Sequence, residues 1–144
     1  MEDYTILGRI GEGAHGIVMK GRHRKTGTVV ALKKVLLKRL EDGLPETALR
    51  EIKALQVLDS EYVVRLHDVF AQGLGFVLVF EYMISDLSEM IHNIENPLLE
   101  NQVKSYMQML LKGVAYLHGQ NIMHRDLKPA NLLLRYVRLS TSSH

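Results

Sequence analysis

The chain has 144 residues, a net charge of +2, 47% hydrophobic and 24% charged residues, and no cysteine. That balance suits a single soluble domain burying roughly 68–70% of its unfolded surface. It excludes disulfides and thiolate metal sites, and the charge alone is too small to argue for nucleic acid or membrane. The histidines, among them His15, His23, His67, His92 and His118, show no metal-ligand spacing. Met1-Glu2-Asp3 is acidic and no apolar run follows it, so no signal peptide is expected. The longest apolar run, residues 76–80, is far too short to span a bilayer. A reducing compartment fits the lack of cysteine.

Residues 4–9 have strand character and lead into Ile10-Gly11-Glu12-Gly13-Ala14-His15-Gly16-Ile17-Val18. Glycines allow positive φ and let backbone approach a phosphate closely. The G-x-G-x-x-G spacing also occurs in dinucleotide-binding folds, but those need a helix after the third glycine. Here β-prone Ile17-Val18-Met19-Lys20 follows, then a turn at Lys25-Thr26-Gly27-Thr28 and a strand at Val29-Val30-Ala31-Leu32. Two readings stand at this point: a plain glycine hairpin, or a phosphate-covering loop between strands. Lys33 ends Val30-Ala31-Leu32-Lys33, and a strand lysine facing a pocket can bridge two phosphates as a point charge. Lys34, Lys38 and the cluster Arg22-His23-Arg24-Lys25 read as solvated; no aromatic interleaves with that cluster.

Pro45 suits the opening of a helix over residues 45–58, with Glu46 in its first turn. Leu49, Ile52 and Leu55 recur at helical spacing, extended by Ala48 and Leu58. Glu51 flanks that stripe, either as a surface glutamate or as a partner for Lys33. Residues 62–70 and 76–82 read as strands joined by Ala71-Gln72-Gly73-Leu74-Gly75, the second apolar enough to be covered on both faces. Ser85 or Asp86 can cap a short helix through Met90, Ile91 and Ile94, before Pro97 breaks the chain. Residues 101–118 form the clearest helix, its apolar face made by Val103, Tyr106, Met107, Leu110, Val114 and Leu117, with Gly119 as the stop.

His124-Arg125-Asp126-Leu127-Lys128-Pro129-Ala130-Asn131 follows on a loop. A carboxylate to accept a proton, an ammonium to sit against phosphate and an amide oxygen for a hard cation fall within six residues. The order matches H-R-D-x-x-x-x-N. From residue 4 to about 134 the chain resembles a serine/threonine protein kinase. It is most similar to the cyclin-dependent kinase group, on Gly43-Leu44-Pro45-Glu46-Thr47-Ala48-Leu49-Arg50-Glu51, Gly11-Glu12-Gly13-Ala14-His15-Gly16 and Leu127-Lys128-Pro129-Ala130-Asn131-Leu132-Leu133. Within that group it looks closest to the cell-cycle-related branch.

The resemblance implies an α+β kinase-like fold. Its parts would be an ATP-binding lobe with its regulatory helix and hinge (1–83), the start of a helical lobe through the catalytic loop (84–134), and a divergent, disordered tail (135–144). It implies phosphoryl transfer from Mg-ATP to protein Ser/Thr hydroxyls in cell-cycle control, in nucleus, cytoplasm and cilium. A cyclin or cyclin-like regulator would bind the helix 45–58. No nucleic acid or membrane insertion is implied. Residues 10–18 would cover ATP, while Lys33 would hold its α- and β-phosphates and pair with Glu51. Val18, Ala31 and Leu133 would enclose the adenine, with Phe80 behind it. The backbones of Glu81 and Met83 would hydrogen-bond its edge, and Asp86 would meet the ribose. Asp126 would orient the substrate hydroxyl and accept its proton, Lys128 would steady the phosphoryl group, and Asn131 would ligate Mg²⁺.

Two departures stand out. Ala14-His15 occupies the place of a phosphorylatable Thr-Tyr pair, and no Asp-Phe-Gly or Ala-Pro-Glu occurs. The ending Arg135-Tyr136-Val137-Arg138-Leu139-Ser140-Thr141-Ser142-Ser143-His144 reads as a C-terminally truncated form. The expectation is no turnover from this chain alone, with the apolar face of the helix 101–118 left exposed. The alternatives are a non-catalytic isoform that binds ATP weakly or titrates a cyclin, and a non-functional fragment.

Overall fold

The computed structural model describes residues 1–13, 16–36 and 46–135, without the side chains of residues 12, 13, 36, 46–48 and 51. Ala14, His15, the stretch Gly43-Leu44-Pro45, the tail beyond Arg135 and the side chains of Glu12, Glu46 and Glu51 lie outside the described residues. The chain divides into two units, Met1–Tyr82 and Met83–His144.

Strands rich in Val, Ile, Leu and Phe build the first unit. Its antiparallel strands are β1 (Tyr4–Gly13), β2 (Gly16–His23), β3 (Val29–Leu36), β4 (Leu66–Gln72) and β5 (Gly75–Glu81), in the order β1-β2-β3-β5-β4. Helix α1 (Glu46–Val57) joins β3 to β4 in the chain. The register sets Met19 beside Leu32 beside Val79, and Gly21 beside Val30. This face carries the core of Val30, Leu32, Val77 and Val79, with Met1, Tyr4, Met19 and Phe70 packed on it. The opposite face carries Val18, Lys33 and Leu78 in one row and Lys20, Ala31 and Phe80 in the next. Leu78 is also buried, so β5 is covered on both faces, as its continuous apolar run predicts.

One strand starts later than its composition predicts. Tyr62, Val63 and Val64 are β-prone, yet β4 begins at Leu66. Ser60 accounts for the delay. Its Oγ accepts from the Tyr62 N–H and its carbonyl from the Val63 N–H, both at 3.2 Å. A local turn satisfies these donors before pairing with β5 can begin.

In the second unit, β6 (Ser85–Asp86) pairs with β7 (Leu133–Leu134), and the helices are α2 (Leu87–His92) and α3 (Glu100–Gly119). Asp86 is the cap of α2: its Oδ1 accepts from the Glu89 N–H at 3.0 Å. At the far end of α3, Gly119 is still helical. The left-handed residue there is Asn121, with φ 59°, and the Ile122 N–H returns to the Leu117 carbonyl at 2.9 Å. Asn tolerates that conformation better than most residues, so the stop falls two residues beyond the glycine. On α3 only Gly113 and Leu117 are buried, while Val103 and Met107 are 46% and 53% exposed. An apolar groove of about 460 Å³ runs between α2, α3 and the loop at Leu127, Lys128 and Pro129. Among the described residues no helix is long and apolar enough to cross a membrane.

Candidate active site

The loop after α3 gathers three of the residues singled out by sequence. Arg125 takes a positive φ of 67°, a conformation that costs a non-glycine residue roughly 1–2 kcal/mol. Beyond that kink, a 3-10 turn at Pro129–Asn131 swings Asn131 back toward Asp126. The Asn131 amide donates to the Asp126 carbonyl and to Asp126 Oδ2, each at 2.8 Å. Lys128 Nζ lies 3.1 Å from the same Oδ2. Both the Lys128 and Asp126 side chains are more than half exposed. Hydrogen bonds from Lys128 first, and from Asn131 next, hold the Asp126 carboxyl below its ordinary value, so it is ionised at neutral pH.

That arrangement predicts a titration. Because the folded value is depressed, the carboxylate's contribution to the cluster is present above the ordinary carboxylate range and disappears as pH falls through the folded value. Lys128→Met is expected to move the Asp126 carboxyl upward toward the ordinary aspartate range, and Asn131→Ala to move it less, read by carboxyl-carbon NMR. An unmoved titration in Lys128→Met would refute the cluster.

The β6–β7 ribbon places Asp86 directly opposite Leu133. It is continued by the Leu87 N–H on the Leu132 carbonyl at 2.8 Å and the Ile84 N–H on the Leu134 carbonyl at 2.9 Å. The candidate ribose contact and the candidate adenine contact thus share one scaffold with the catalytic loop. Met83 opens this unit, half-buried.

In the first unit, Val18, Ala31, Lys33 and Phe80 stand together on one sheet face, as the register above requires. Of the glycine loop, Ile10 is exposed, and Gly11 lies opposite Val18 with open space where a Cβ would project. Gly16 has φ +120°, and a Cβ there would lie 2.0 Å from the Lys34 carbonyl oxygen. Only glycine allows β2 to pass so close to β3 at that corner. The pairing of Lys33 with Glu51 lies outside the described side chains.

These residues suit a nucleotide triphosphate with its metal. Lys33 stands in a row with Val18, and Gly11, opposite Val18, leaves open space beside it, which suits the anionic part. With its amide nitrogen committed to Asp126, Asn131 has its carbonyl oxygen available as one hard donor for Mg²⁺. Among the described residues no group of three or more His, Cys, Asp or Glu is placed to hold a metal ion. Asn131 would be one protein oxygen donor to a magnesium ion that came in with the nucleotide, where the ion would neutralise phosphate charge.

Reading the sequence alone missed two features. The Lys20 ammonium sits 4.3 Å from the centre of the Tyr82 ring. The Glu81 carboxylate accepts from the Arg65 N–H at 2.8 Å. Neither leaves a signal in spacing, because the partners are brought together only by strand pairing.

The protein kinase domain family matches residues 4–140. The chain belongs to the protein kinase family. Its fold is accordingly α+β and kinase-like: a five-stranded antiparallel lobe with one helix, followed by the first part of the helical lobe. This kinase chain is 70% identical over 135 residues to cyclin-dependent kinase 20 of Danio rerio, and 66% and 65% identical to the proteins of the same name from Rattus norvegicus and Homo sapiens. Each match takes in 93% of this chain and 39% of the relative. The kinase chain thus spans well under half the length of these curated relatives.

Proposed function

We propose that this chain carries the ATP-binding and catalytic-loop part of a serine/threonine protein kinase of the cyclin-dependent group, in its cell-cycle-related branch. The observation that carries this reading is the Asp126 cluster, in which carboxylate, ammonium and amide converge within 3.1 Å on an exposed loop. Identity to cyclin-dependent kinase 20 along nearly the whole chain supports the group. Residues 1–83 would serve as the nucleotide lobe and 84–134 as the catalytic-loop segment, acting in nucleus, cytoplasm and cilium.

Bound Mg-ATP supplies the transferable phosphoryl group and neutralises its charge. In the first unit Lys33 would hold the α- and β-phosphates and Val18 and Ala31 would flank the adenine; in the second, Leu133 would offer an apolar contact to the base and Asn131 its oxygen to the metal. Asp126 accepts a hydrogen bond from the substrate hydroxyl. In the longer kinase it would take that proton as the phosphoryl group passes from the bound nucleotide to the hydroxyl oxygen, leaving the nucleoside diphosphate. Lys128 stabilises the charge on the moving phosphoryl group. The 144 residues by themselves include no Asp-Phe-Gly, and for that polypeptide we infer nucleotide binding without turnover.

The test is a thermal melt of the chain with and without Mg-ATP. Free ligand at about 100 times Kd stabilises a folded form by ~2.7 kcal/mol, a rise of several degrees in Tm. The rise should vanish in Lys33→Met. No rise in the unsubstituted chain would sink the proposal.

A second reading is a docking role for α1 toward a cyclin or cyclin-like regulator. Leu49 and Val57 of that helix are 38% and 71% exposed, which favours it. Arg50→Glu should then abolish capture of a cyclin in a pull-down while leaving the Mg-ATP melt unchanged; equal capture by both forms would refute it.

A further inference from the structure

In the order β1-β2-β3-β5-β4, no described strand lies beyond β4. Gln72 faces Gly75 across a two-residue turn, Ala71 faces Phe76, and Val69 faces Leu78. Along an antiparallel ladder, pairs that exchange hydrogen bonds alternate with pairs that do not. Counted back from the closing pair of the turn, Val69 and Ala71 turn their N–H and carbonyl groups away from β5. Groups of that kind are a template for a further strand. At one of the two positions the template is already taken. The register slips between Leu66 and Asp68, and just past the slip the Val69 N–H donates to Asp68 Oδ1 at 2.8 Å, on an exposed surface. Ala71 is exposed as well, but the residue before it is Phe70, which is apolar and packs against the core and Tyr4.

We infer that Asp68 blocks the outer edge of β4 against β4 of a second copy of this chain, by occupying the N–H on which that pairing would be centred. The second copy is the occupant because the segment is self-complementary. Antiparallel pairing about a two-fold axis at Val69 sets each Val69 N–H against the other copy's Val69 carbonyl, and Ala71 against His67. Val69, Phe70 and Ala71 carry no charge to oppose it. Asp68 removes the gain. A strand arriving at Val69 exchanges one protein hydrogen bond for another, and nothing is left to offset the freedom lost on association. With alanine at position 68 the Val69 N–H is bonded to water, and pairing then brings a net hydrogen bond on each side of the axis. The inference concerns the association state of the chain and does not depend on nucleotide binding.

The test is residue-resolved amide hydrogen exchange on the full chain, dilute and concentrated, in the parent, Asp68→Ala and Asp68→Asn, with a thermal melt of each. In the dilute parent, Val69 should exchange roughly fivefold more slowly than Ala71 after correction for intrinsic rates, the protection that one net hydrogen bond gives. Concentration should change neither amide. In dilute Asp68→Ala, Val69 should lose that lead. In the concentrated sample both amides should slow by a similar factor. Asparagine keeps a side-chain oxygen of the same reach, so Asp68→Asn should behave as the parent does. Exchange at Val69 and Ala71 that is independent of concentration in Asp68→Ala overturns the inference. So does pairing in Asp68→Asn as strong as in Asp68→Ala, because charge and not the occupied N–H would then be the block. Should Asp68→Ala fail to melt cooperatively, the other two chains decide. A protected Val69 in the dilute parent, kept in Asp68→Asn at both concentrations, supports the block, and a Val69 no better protected than Ala71 overturns it.

Discussion

Leu32→Ala is expected to destabilise the Met1–Tyr82 unit by roughly 2–5 kcal/mol, the range for deleting most of a fully buried aliphatic side chain. Leu32 has no exposed surface and sits between Met19 of β2 and Val79 of β5. Its Cδ1 fills the space over Gly21, where an added Cβ would lie only 2.7 Å away. The cavity left by alanine would be bounded by strand backbone on two sides, which cannot collapse into it without breaking the ladder. Because strand residues alternate, Ala31 and Lys33 point to the other face, so nucleotide affinity of the folded fraction should stay near that of the parent. Urea unfolding followed by circular dichroism measures the first effect, and titration with a nucleotide analogue below the transition measures the second. A loss under 1 kcal/mol would mean that this cluster is not the centre of the unit.

Gly16→Ala should be comparably damaging for a different reason. The Cβ would meet the Lys34 carbonyl oxygen at 2.0 Å, and the φ of +120° lies where only glycine is comfortable. Backbone strain of roughly 1–3 kcal/mol and steric displacement of a similar size together give roughly 2–6 kcal/mol. Relief would come from separating β2 from β3 at the corner that leads to Val18 and Lys33, so nucleotide binding should fall with stability. Gly27→Ala is the control. Gly27 also has positive φ, +73°, but open space around its Cβ position, so only the left-handed penalty of roughly 1–2 kcal/mol applies. Equal unfolding midpoints for the two variants would remove the steric argument for the glycine loop.

The strand character of β3, the continuous apolar run of β5, the turn at Gly27, a cap at Ser85 or Asp86 and the order of Asp126, Lys128 and Asn131 were all readable from the chain, because each depends on neighbours a few residues away. Errors arose where two local preferences competed. Ser60 drew the donors of Tyr62 and Val63 into a turn and delayed β4, and Asn121 rather than Gly119 took the left-handed position after α3. The side chain of Glu51 and the loop residues Ala14 and His15 fall outside the described residues.

By itself, then, the sequence determined the five strands of the first unit to within a few residues, the three helices, and which residues are candidates for phosphate and proton chemistry, but not the β6–β7 ribbon. These follow from period, glycine and capping chemistry acting at short range. Only the tertiary structure decided what lies across from what: Lys33 in a row with Val18, Asp86 opposite Leu133, and the Glu81 carboxylate on the Arg65 N–H. Strand register is set by burying one face of every strand at once. A contact between residues 16 positions apart, like the one from Arg65 to Glu81, therefore exists only after the whole sheet has closed.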